Sequence, residues 1–223
     1  MKSIIKILRF KSRSTQTEVS LLAILITILN LSAIKEVVKG IETMDFRSSL
    51  DLIIQNEAKP LEQRSIALMA ISNIFTQSKE CRVSEPTEEF AFHVLKNWKD
   101  MRDEYNQNEE VVKNLVYASL ILFYNMLLQN FTKTGPKHEG SMLQHQKNRM
   151  KDLIECLDTH IMEEFTDHTI VNVVLHLITL FTKSAETATI LFNNEKILKY
   201  IFGHLRKPEE LNEGTNGLPA LHI

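Results

Sequence analysis

Apolar residues recur every three to four positions along most of the chain, a spacing that places them on one face of an α-helix. No long run alternates apolar and polar residues, so no β-strand is predicted. The sequence therefore predicts an all-α protein, with helices at 3–12, 18–31, 34–42, 45–56, 61–76, 86–104, 109–130, 141–160, 166–182, 185–192 and 194–205. Pro60 and Pro86 support two of these boundaries, because a helix tolerates proline at its start.

The segment 61–75, LEQRSIALMAISNIF, has little polar surface beyond its first turn. A helix that is apolar nearly all round is expected to be buried on several sides. One arrangement that achieves this is a stacked solenoid, in which Ile66, Met69 and Ile74 would meet the preceding and following units. The alternative is a compact all-α bundle with this helix at its centre.

The most apolar helices share an internal pattern. Asn30, Asn73 and Asn125 each precede an apolar residue, and Thr179 stands at the matching place in a fourth segment. The successive steps between these four positions are 43, 52 and 54 residues. Between them the chain passes through shorter helices before it reaches the next long apolar helix. This pattern predicts a helical repeat, with additional residues in the second and third steps.

The order of helices resembles the armadillo repeat over roughly residues 18–207. The stretches that carry the resemblance are ILNLSAIKEVVKGI, EQRSIALMAISNIF and TLFTKSAETATILFNNEKILKYIFGHL. Armadillo and HEAT repeats have a period of about 40–47 residues. The resemblance implies an armadillo/HEAT-like α-solenoid of about four irregular repeats. It divides the chain into a basic segment 1–17, an armadillo-like domain 18–207 and a tail 208–223 that we expect to be flexible.

The resemblance also implies where a partner would bind. In armadillo proteins, third-helix residues line a concave groove, and asparagines there bind the backbone of an extended peptide. The matching positions are Asn30, Asn73 and Asn125, and Gln77 and Gln129 lie one helical turn further on. An amide side chain both donates and accepts hydrogen bonds, so it pairs with both groups of a peptide unit. The alternative role for each asparagine is a hydrogen bond to a neighbouring repeat.

The chain departs from one armadillo pattern. Armadillo proteins that carry nuclear-import cargo place a tryptophan four residues before the asparagine, and Ile26, Met69 and Ile121 hold those positions here. The only tryptophan, Trp98, falls in a different helix. We therefore do not expect a nuclear-import receptor.

The segment 1–17 contains five basic residues and no acidic residue. On a helical wheel the basic stripe lies roughly opposite the apolar residues: Lys2, Lys6, Arg9 and Arg13 against Ile4, Ile5, Ile7 and Leu8. This pattern predicts the first helix of the fold, with a membrane-surface contact or a mitochondrial presequence as alternatives. The uncharged stretch 19–34 that follows is shorter than the ~20 residues that span a bilayer, and we expect a core helix there.

Composition and charge narrow the class of partner. Hydrophobic residues make up 43% of the chain, charged residues 24%, and the net charge is -2. This balance gives no general attraction to nucleic acid, so no nucleic-acid partner is expected; the basic loop around 145–151 is a minor alternative. Cys81 and Cys156 form no CxxC pair, which favours reduced thiols in a cytoplasmic protein. A mitochondrial or membrane-associated location is the alternative.

No catalytic motif emerges from the sequence. It holds no phosphate-binding glycine loop, no GxSxG and no HExxH. His160 and His168 bracket IMEEFTD, but their spacing does not suit a zinc-ligand pair on one helical face. We therefore expect no enzyme activity, no cofactor and no metal ion.

The function expected from the sequence is that of an adaptor or scaffold that binds a protein partner on its third-helix face. The alternative is a membrane- or organelle-associated helical protein that uses residues 1–17. The ends of a solenoid need cover, and Leu218 and Leu221 in the tail are candidates for this role. An uncovered end would favour a homodimer or an obligate partner.

Overall fold

The computed structural model describes five stretches of the chain: residues 15–42, 46–78, 83–104, 109–134 and 144–205. Every regular element in these stretches is helical. The α-helices are Thr15–Ser32 (α1), Lys35–Glu42 (α2), Phe46–Gln55 (α3), Leu61–Gln77 (α4), Glu85–Glu104 (α5), Glu109–Thr134 (α6), Gln144–Cys156 (α7), His168–Phe181 (α8), Ala185–Phe192 (α9) and Glu195–Leu205 (α10).

The all-α prediction is confirmed for the described part of the chain. The predicted helix bounds agree with the observed ones to within four residues at each end. The predicted helix 3–12 lies outside the described residues.

Local chemistry accounts for several helix ends. Pro60 has φ −52° and directly precedes α4, where its missing N–H costs no helical hydrogen bond. Asp167 caps the start of α8, and its Oδ1 accepts hydrogen bonds from the backbone N–H groups of Thr169 at 2.9 Å and Ile170 at 3.4 Å.

Four apolar helices, α1, α4, α6 and α8, pack one against the next in chain order, and we refer to them as the first row. Two hydrogen bonds fix the relative direction of α4 and α6. Ser72 Oγ donates to the carbonyl of Ala118 at 3.1 Å, and Asn125 Nδ2 donates to Thr76 Oγ1 at 2.5 Å. From the first of these contacts to the second, the residue numbers increase in both helices, so α4 and α6 run in the same direction.

The first row continues in the same direction from α6 to α8. The rings of Tyr124 and His176 lie with their centroids 5.7 Å apart, and Lys183 Nζ lies 5.9 Å from the centroid of Phe131. From the first contact to the second, the residue numbers again increase on both sides, with Lys183 two residues beyond the end of α8. The three helices are therefore parallel neighbours in space, although other helices separate them in sequence.

The second row consists of α3, α5 and α7; of these, α3 packs on α4 and α5 packs on α6. α3 packs on α5, and α5 packs on the segment that continues α7. Arg149 pairs with Glu88 at 3.0 Å, and Trp98 bonds to His160 further along both helices, so α5 and α7 are also parallel. α2 contacts α1, α3 and α4, whereas α9 contacts α7, α8 and α10.

A buried carboxylate joins two helices of the second row. Asp51 on α3 accepts a hydrogen bond from Ser84 Oγ at 2.9 Å and another from Thr87 Oγ1 at 2.6 Å. Both hydroxyls belong to the start of α5. Asp51 therefore fixes the position at which α5 begins.

A π-helical turn, Leu157–Ile161, continues α7, and the Met162 N–H bonds to the Leu157 carbonyl at 3.0 Å. The indole Nε1 of Trp98 donates to the carbonyl of His160 at 2.9 Å. The wider turn brings this carbonyl to the tryptophan, so the indole N–H finds an acceptor although its ring is buried.

Helix α4 lies between α1 and α6 and also contacts α3. Leu68, Ile71 and Ile74 are buried, whereas Ile66 and Met69 are half-buried on the side that faces away from α3. Fully burying a leucine or isoleucine side chain stabilises a fold by about 1.5–3 kcal/mol. The predicted burial of this helix on several sides is confirmed, with one strip left partly open.

Candidate partner-binding surface

The first row presents one side on which its side chains are half-buried or exposed. We refer to this side as the row face, and its described residues are Ile66, Met69, Asn73 and Gln77 on α4, Tyr117, Ile121, Tyr124 and Leu128 on α6, and Asn172, His176 and Thr179 on α8. Spacings of three and four residues keep each set on one side of its helix. Because the helices are parallel, the three sets lie side by side.

The row face is apolar and aromatic along α6 and becomes polar toward α8. Ile121 and Tyr124 are half-buried, and the Tyr124 ring contacts the more exposed ring of His176. None of the eleven side chains named for this face is an aspartate, glutamate, lysine or arginine. A surface of this kind can bury apolar side chains of a partner and offer it a few hydrogen bonds.

The structure places two of the three predicted asparagines at the contacts between successive first-row helices. Asn73 Nδ2 donates to Ser32 Oγ on α1 at 3.2 Å, and Asn125 Nδ2 donates to Thr76 Oγ1 on α4 at 2.5 Å. Asn125 is only 6% exposed. Asn30 is exposed on α1. The structure thus separates one exposed asparagine from two that bond to the preceding row helix.

Gln129 bonds across the same contact between α6 and α4. Its Nε2 donates to the carbonyls of Phe75 at 3.0 Å and Ser78 at 2.9 Å. Phe75 lies in the last turn of α4, and Ser78 directly follows this helix. Gln129 therefore caps the end of a neighbouring helix, while Gln77 is half-buried on the row face.

Sequence reasoning missed two polar features of this surface. Ser72 is buried and bonds to the Ala118 carbonyl, and the His176 ring contacts the Tyr124 ring at an interplanar angle of 47°. Ser72 directly precedes Asn73, so its position next to the repeating asparagine was the one indication in the sequence that it bonds between helices. His176 gave no such signal, because its neighbour Tyr124 is 52 residues away in sequence.

A cavity of about 280 Å³ lies between α5, α6 and the segment before α8. Trp98 and Phe165 form its apolar part, with ring centroids 4.7 Å apart. Its cations have partners, since Lys113 Nζ lies 2.8 Å from Asp167 Oδ2 and the Arg102 guanidinium bonds to a neighbouring carboxylate at 3.1 Å. The volume falls just below the roughly 300–1,000 Å³ of small-molecule sites. The small volume and the paired cations argue against a binding site for a small molecule in this cavity.

The contact between Lys113 and Asp167 changes the pKa of both groups. The hydrogen bond from Lys113 lowers the pKa of Asp167 to about 2, and the cap bonds from Thr169 and Ile170 act in the same direction. The hydrogen bond to Asp167 in turn raises the pKa of Lys113. Both side chains are 33% exposed, so solvent screens the pair, which orients α8 at its start without contributing much to stability.

The described residues contain no group of three or more His, Cys, Asp or Glu side chains that would hold a metal ion. Cys156 is a free thiol, and burial raises its pKa to about 12. The backbone carbonyl of His160 accepts a hydrogen bond from Trp98, and the His168 ring lies 2.9 Å from the Asn172 side chain. The structure does not bring these two histidines together with a third ligand in its described part.

One described helix, α6, is long and apolar enough to cross a membrane over Glu109–Phe131, with a mean hydropathy of 1.6. More than half of this stretch, 56%, is buried inside the protein. Core helices pass this test as readily as membrane spans do, and α6 is the helix that contacts α4, α5 and α8.

Several predicted features lie outside the described residues. They are the basic side chains of Lys2, Lys6, Arg9 and Arg13, the thiol of Cys81 and the tail 208–223.

Comparisons with protein-family models, with curated proteins and with solved structures found no match to this chain.

Proposed function

We propose that this protein is a non-enzymatic protein-interaction module, an armadillo-like α-solenoid that binds a segment of a partner protein on its row face. One observation carries the proposal. Two parallel helices, α4 and α6, present half-buried apolar side chains on the same side of the molecule, and the polar side chains of α8 lie beside them. Such a strip has no partner among the described residues that would bury it fully.

The direction of the helices supports a solenoid over a bundle. In an up-and-down bundle, neighbouring helices are consecutive in sequence and antiparallel. Here α4 and α6 are neighbours that run in the same direction, and a helix of the second row lies between them in the chain. A repeating unit that stacks on its predecessor produces this arrangement in both rows.

The proposed recognition rests on apolar anchors. Met69 on α4 and Ile121 and Tyr124 on α6 belong to the row face, and each is half-buried. An amphipathic helix or an extended segment would place its own apolar residues on this strip, and aromatic residues contribute strongly at such contacts. Asn30, Asn73 and Gln77 would supply the polar rim.

Asn125 and Gln129 have a different place in the proposal. Their donors are directed to α4, and Asn125 is almost fully buried. We therefore assign them to the contact between repeats. The partner would meet the strip beside them.

Photocrosslinking tests the proposal. A benzoylphenylalanine at Tyr124 should crosslink in cells to a distinct partner band, and the same probe at Phe202, an exposed residue of α10, should not. In the Tyr124 probe, a second substitution, Met69→Ala, should weaken the crosslink at least fivefold at unchanged helicity and melting temperature, an effect of about 1 kcal/mol. The proposal fails if Tyr124 and Phe202 give the same bands, or if Met69→Ala leaves the Tyr124 crosslink unchanged.

A further inference from the structure

Helix α5 bends at Asn97, where φ is −123° and ψ is 22°. Directly after the bend stands Trp98, the only tryptophan of the chain, which is 6% exposed. Its Nε1 donates to the carbonyl of His160 in the π-helical turn at 2.9 Å. The direction that α5 takes after Asn97 therefore determines whether the indole reaches this carbonyl.

The side chain of Asn97 takes part in the bend. Its Nδ2 donates to the backbone carbonyl of His93 at 3.1 Å. In an uninterrupted helix, the backbone N–H of Asn97 itself would donate to this carbonyl, which lies four residues earlier. The side-chain amide therefore competes with the backbone for the same acceptor, and a side chain that inserts into this ladder of hydrogen bonds bends a helix.

The same amide nitrogen lies 3.0 Å from Nδ1 of the His93 ring. A carbonyl only accepts hydrogen bonds, so the amide presents its NH₂ group on this side and Nδ1 accepts the second hydrogen. A neutral imidazole with its proton on Nε2 satisfies this arrangement, whereas a protonated imidazole is a donor at both nitrogens. Two donors would then face each other, and rotating the amide would turn its oxygen toward the His93 carbonyl.

We propose that His93 and Asn97 form a pH-sensitive switch that controls the bend in α5. The neutral imidazole holds the amide on the His93 carbonyl and keeps the bend. Proton uptake by the exposed His93 ring releases the amide, α5 returns toward a regular helix, and the indole of Trp98 leaves the carbonyl of His160. Histidine is the side chain that ordinarily changes its charge between about pH 8 and 5.

Charged groups of the neighbouring helices reach α5 on both sides of His93. Those that reach it before His93 are Asp51 of α3, Arg64 of α4 and Arg149 of α7, which contact Thr87, Phe90 and Phe92 respectively. On α5 itself, Glu89 and Lys96 lie one helical turn from His93, and Arg149 also pairs with Glu89. Beyond the bend, Glu164 pairs with Lys99.

The charged groups that line the cavity beside Trp98 are Arg102, Glu109, Lys113, Glu164 and Asp167. The hydrogen bond from Lys113 lowers the pKa of Asp167 to about 2, so Asp167 stays ionised throughout the range in which histidines titrate. The raised pKa of Lys113 keeps this side chain charged in the same range. This pair therefore does not imitate the proposed switch.

The fluorescence of Trp98 measures the state of the switch in the full chain, because no other tryptophan contributes. We expect the emission maximum to move to longer wavelength in one transition between about pH 8 and 5, as the buried indole gains contact with water. Quenching by acrylamide should increase at least about twofold over the same range, as local opening predicts. The helical content, measured by far-UV circular dichroism, should change little.

Substitutions of single histidines identify the group that titrates. His93→Gln supplies a neutral acceptor and should abolish the shift, whereas His93→Arg is a charged donor without an acceptor and should give the low-pH emission already at about pH 8. His168→Gln is the matched control, because the His168 ring makes the same contact with Asn172 four residues on, at 2.9 Å. His168→Gln and His160→Gln should both shift as the wild type does.

Any of four results would overturn the proposal. The first is a wild-type emission maximum that stays constant over this range, and the second is a shift that persists in His93→Gln. The third is a His93→Arg variant with wild-type emission at about pH 8, since a fixed charge would then not release the indole. The fourth is a shift that disappears in His160→Gln, because the titrating group would then lie in the π-helical turn.

Discussion

The hydrogen bonds from Gln129 to the end of α4 lead to the most direct prediction about stability. Its Nε2 donates to two carbonyls, those of Phe75 at 3.0 Å and Ser78 at 2.9 Å. Both residues are only 5% exposed, so water has little access to replace the lost donor. A net hydrogen bond contributes about 0.5–1.5 kcal/mol, and an orphaned buried group costs about 1–3 kcal/mol.

We therefore expect Gln129→Ala to lower the free energy of unfolding by about 2 kcal/mol. For a chain of this size, such a change corresponds to a melting temperature lower by about 4–8 °C. Urea unfolding followed by far-UV circular dichroism measures the free energy. Gln55→Ala is the control, because Gln55 is exposed at the end of α3, and it should change the free energy by less than about 0.5 kcal/mol.

A second substitution at Gln129 separates the loss of the donor from the loss of volume. Gln129→Glu keeps the size but turns an acceptor-only carboxylate toward two carbonyl oxygens, so at neutral pH it should destabilise more than Gln129→Ala. The pKa of this new carboxyl would be raised in the folded state, so the extra destabilisation is smallest below the unfolded pKa of about 4.3 and grows as the pH rises. A Gln129→Ala variant within about 0.5 kcal/mol of wild type would refute the reasoning.

Three further predictions concern single contacts. Trp98→Phe removes the donor to the His160 carbonyl and should cost about 1–2 kcal/mol in urea unfolding. Asp51→Ala, which removes the acceptor for two hydroxyls at the start of α5, should cost about 2 kcal/mol, and Asp51→Asn less than half as much. In carbon-13 NMR titrations, Asp167 should titrate near pH 2, and Lys113→Gln should move its pKa up toward about 3.9. Since this pKa is lowered, the small stabilisation from Asp167 is present above pH ~3.9 and is lost as the pH falls toward 2.

Helix positions were predictable because the chain uses one period almost throughout. Its six glycines and five prolines leave long stretches uninterrupted, so apolar spacing alone located the described helices. The predicted step from Asn125 to Thr179 connects α6 and α8, and the rings of Tyr124 and His176 contact each other across these two helices. The repeat itself stays a prediction.

The role of the amides could not be read from the same pattern. A repeating asparagine pairs equally well with a partner's backbone or with the neighbouring helix, because the donor and acceptor chemistry is the same. What distinguishes the two roles is the distance to Ser32 or Thr76, and this depends on how closely the row helices pack. Periodicity contains no information about that distance.

The irregular parts of the second row were beyond sequence reasoning for a related reason. α5 bends at Asn97, where φ is −123°, and α7 widens into a π-helical turn that presents a carbonyl to Trp98. Each departure is stabilised by a residue from another helix or from a preceding turn. Local propensity favours the regular helix at both places, so apolar spacing alone does not locate either deviation.

The positions of the amides bear on the chemistry of a partner. Asn125 and Gln129 direct their N–H donors to α4. The proposed binding strip is therefore left with the side chains of Met69, Ile121 and Tyr124. A partner that relied on backbone hydrogen bonds would find few donors there, whereas one that brings leucine, methionine or aromatic side chains would remove apolar surface from water on both sides. Apolar burial contributes roughly 25 cal/mol for each Å², so the affinity should depend on the partner's apolar anchors. It should depend only weakly on salt concentration, because none of the eleven side chains of the row face is an aspartate, glutamate, lysine or arginine.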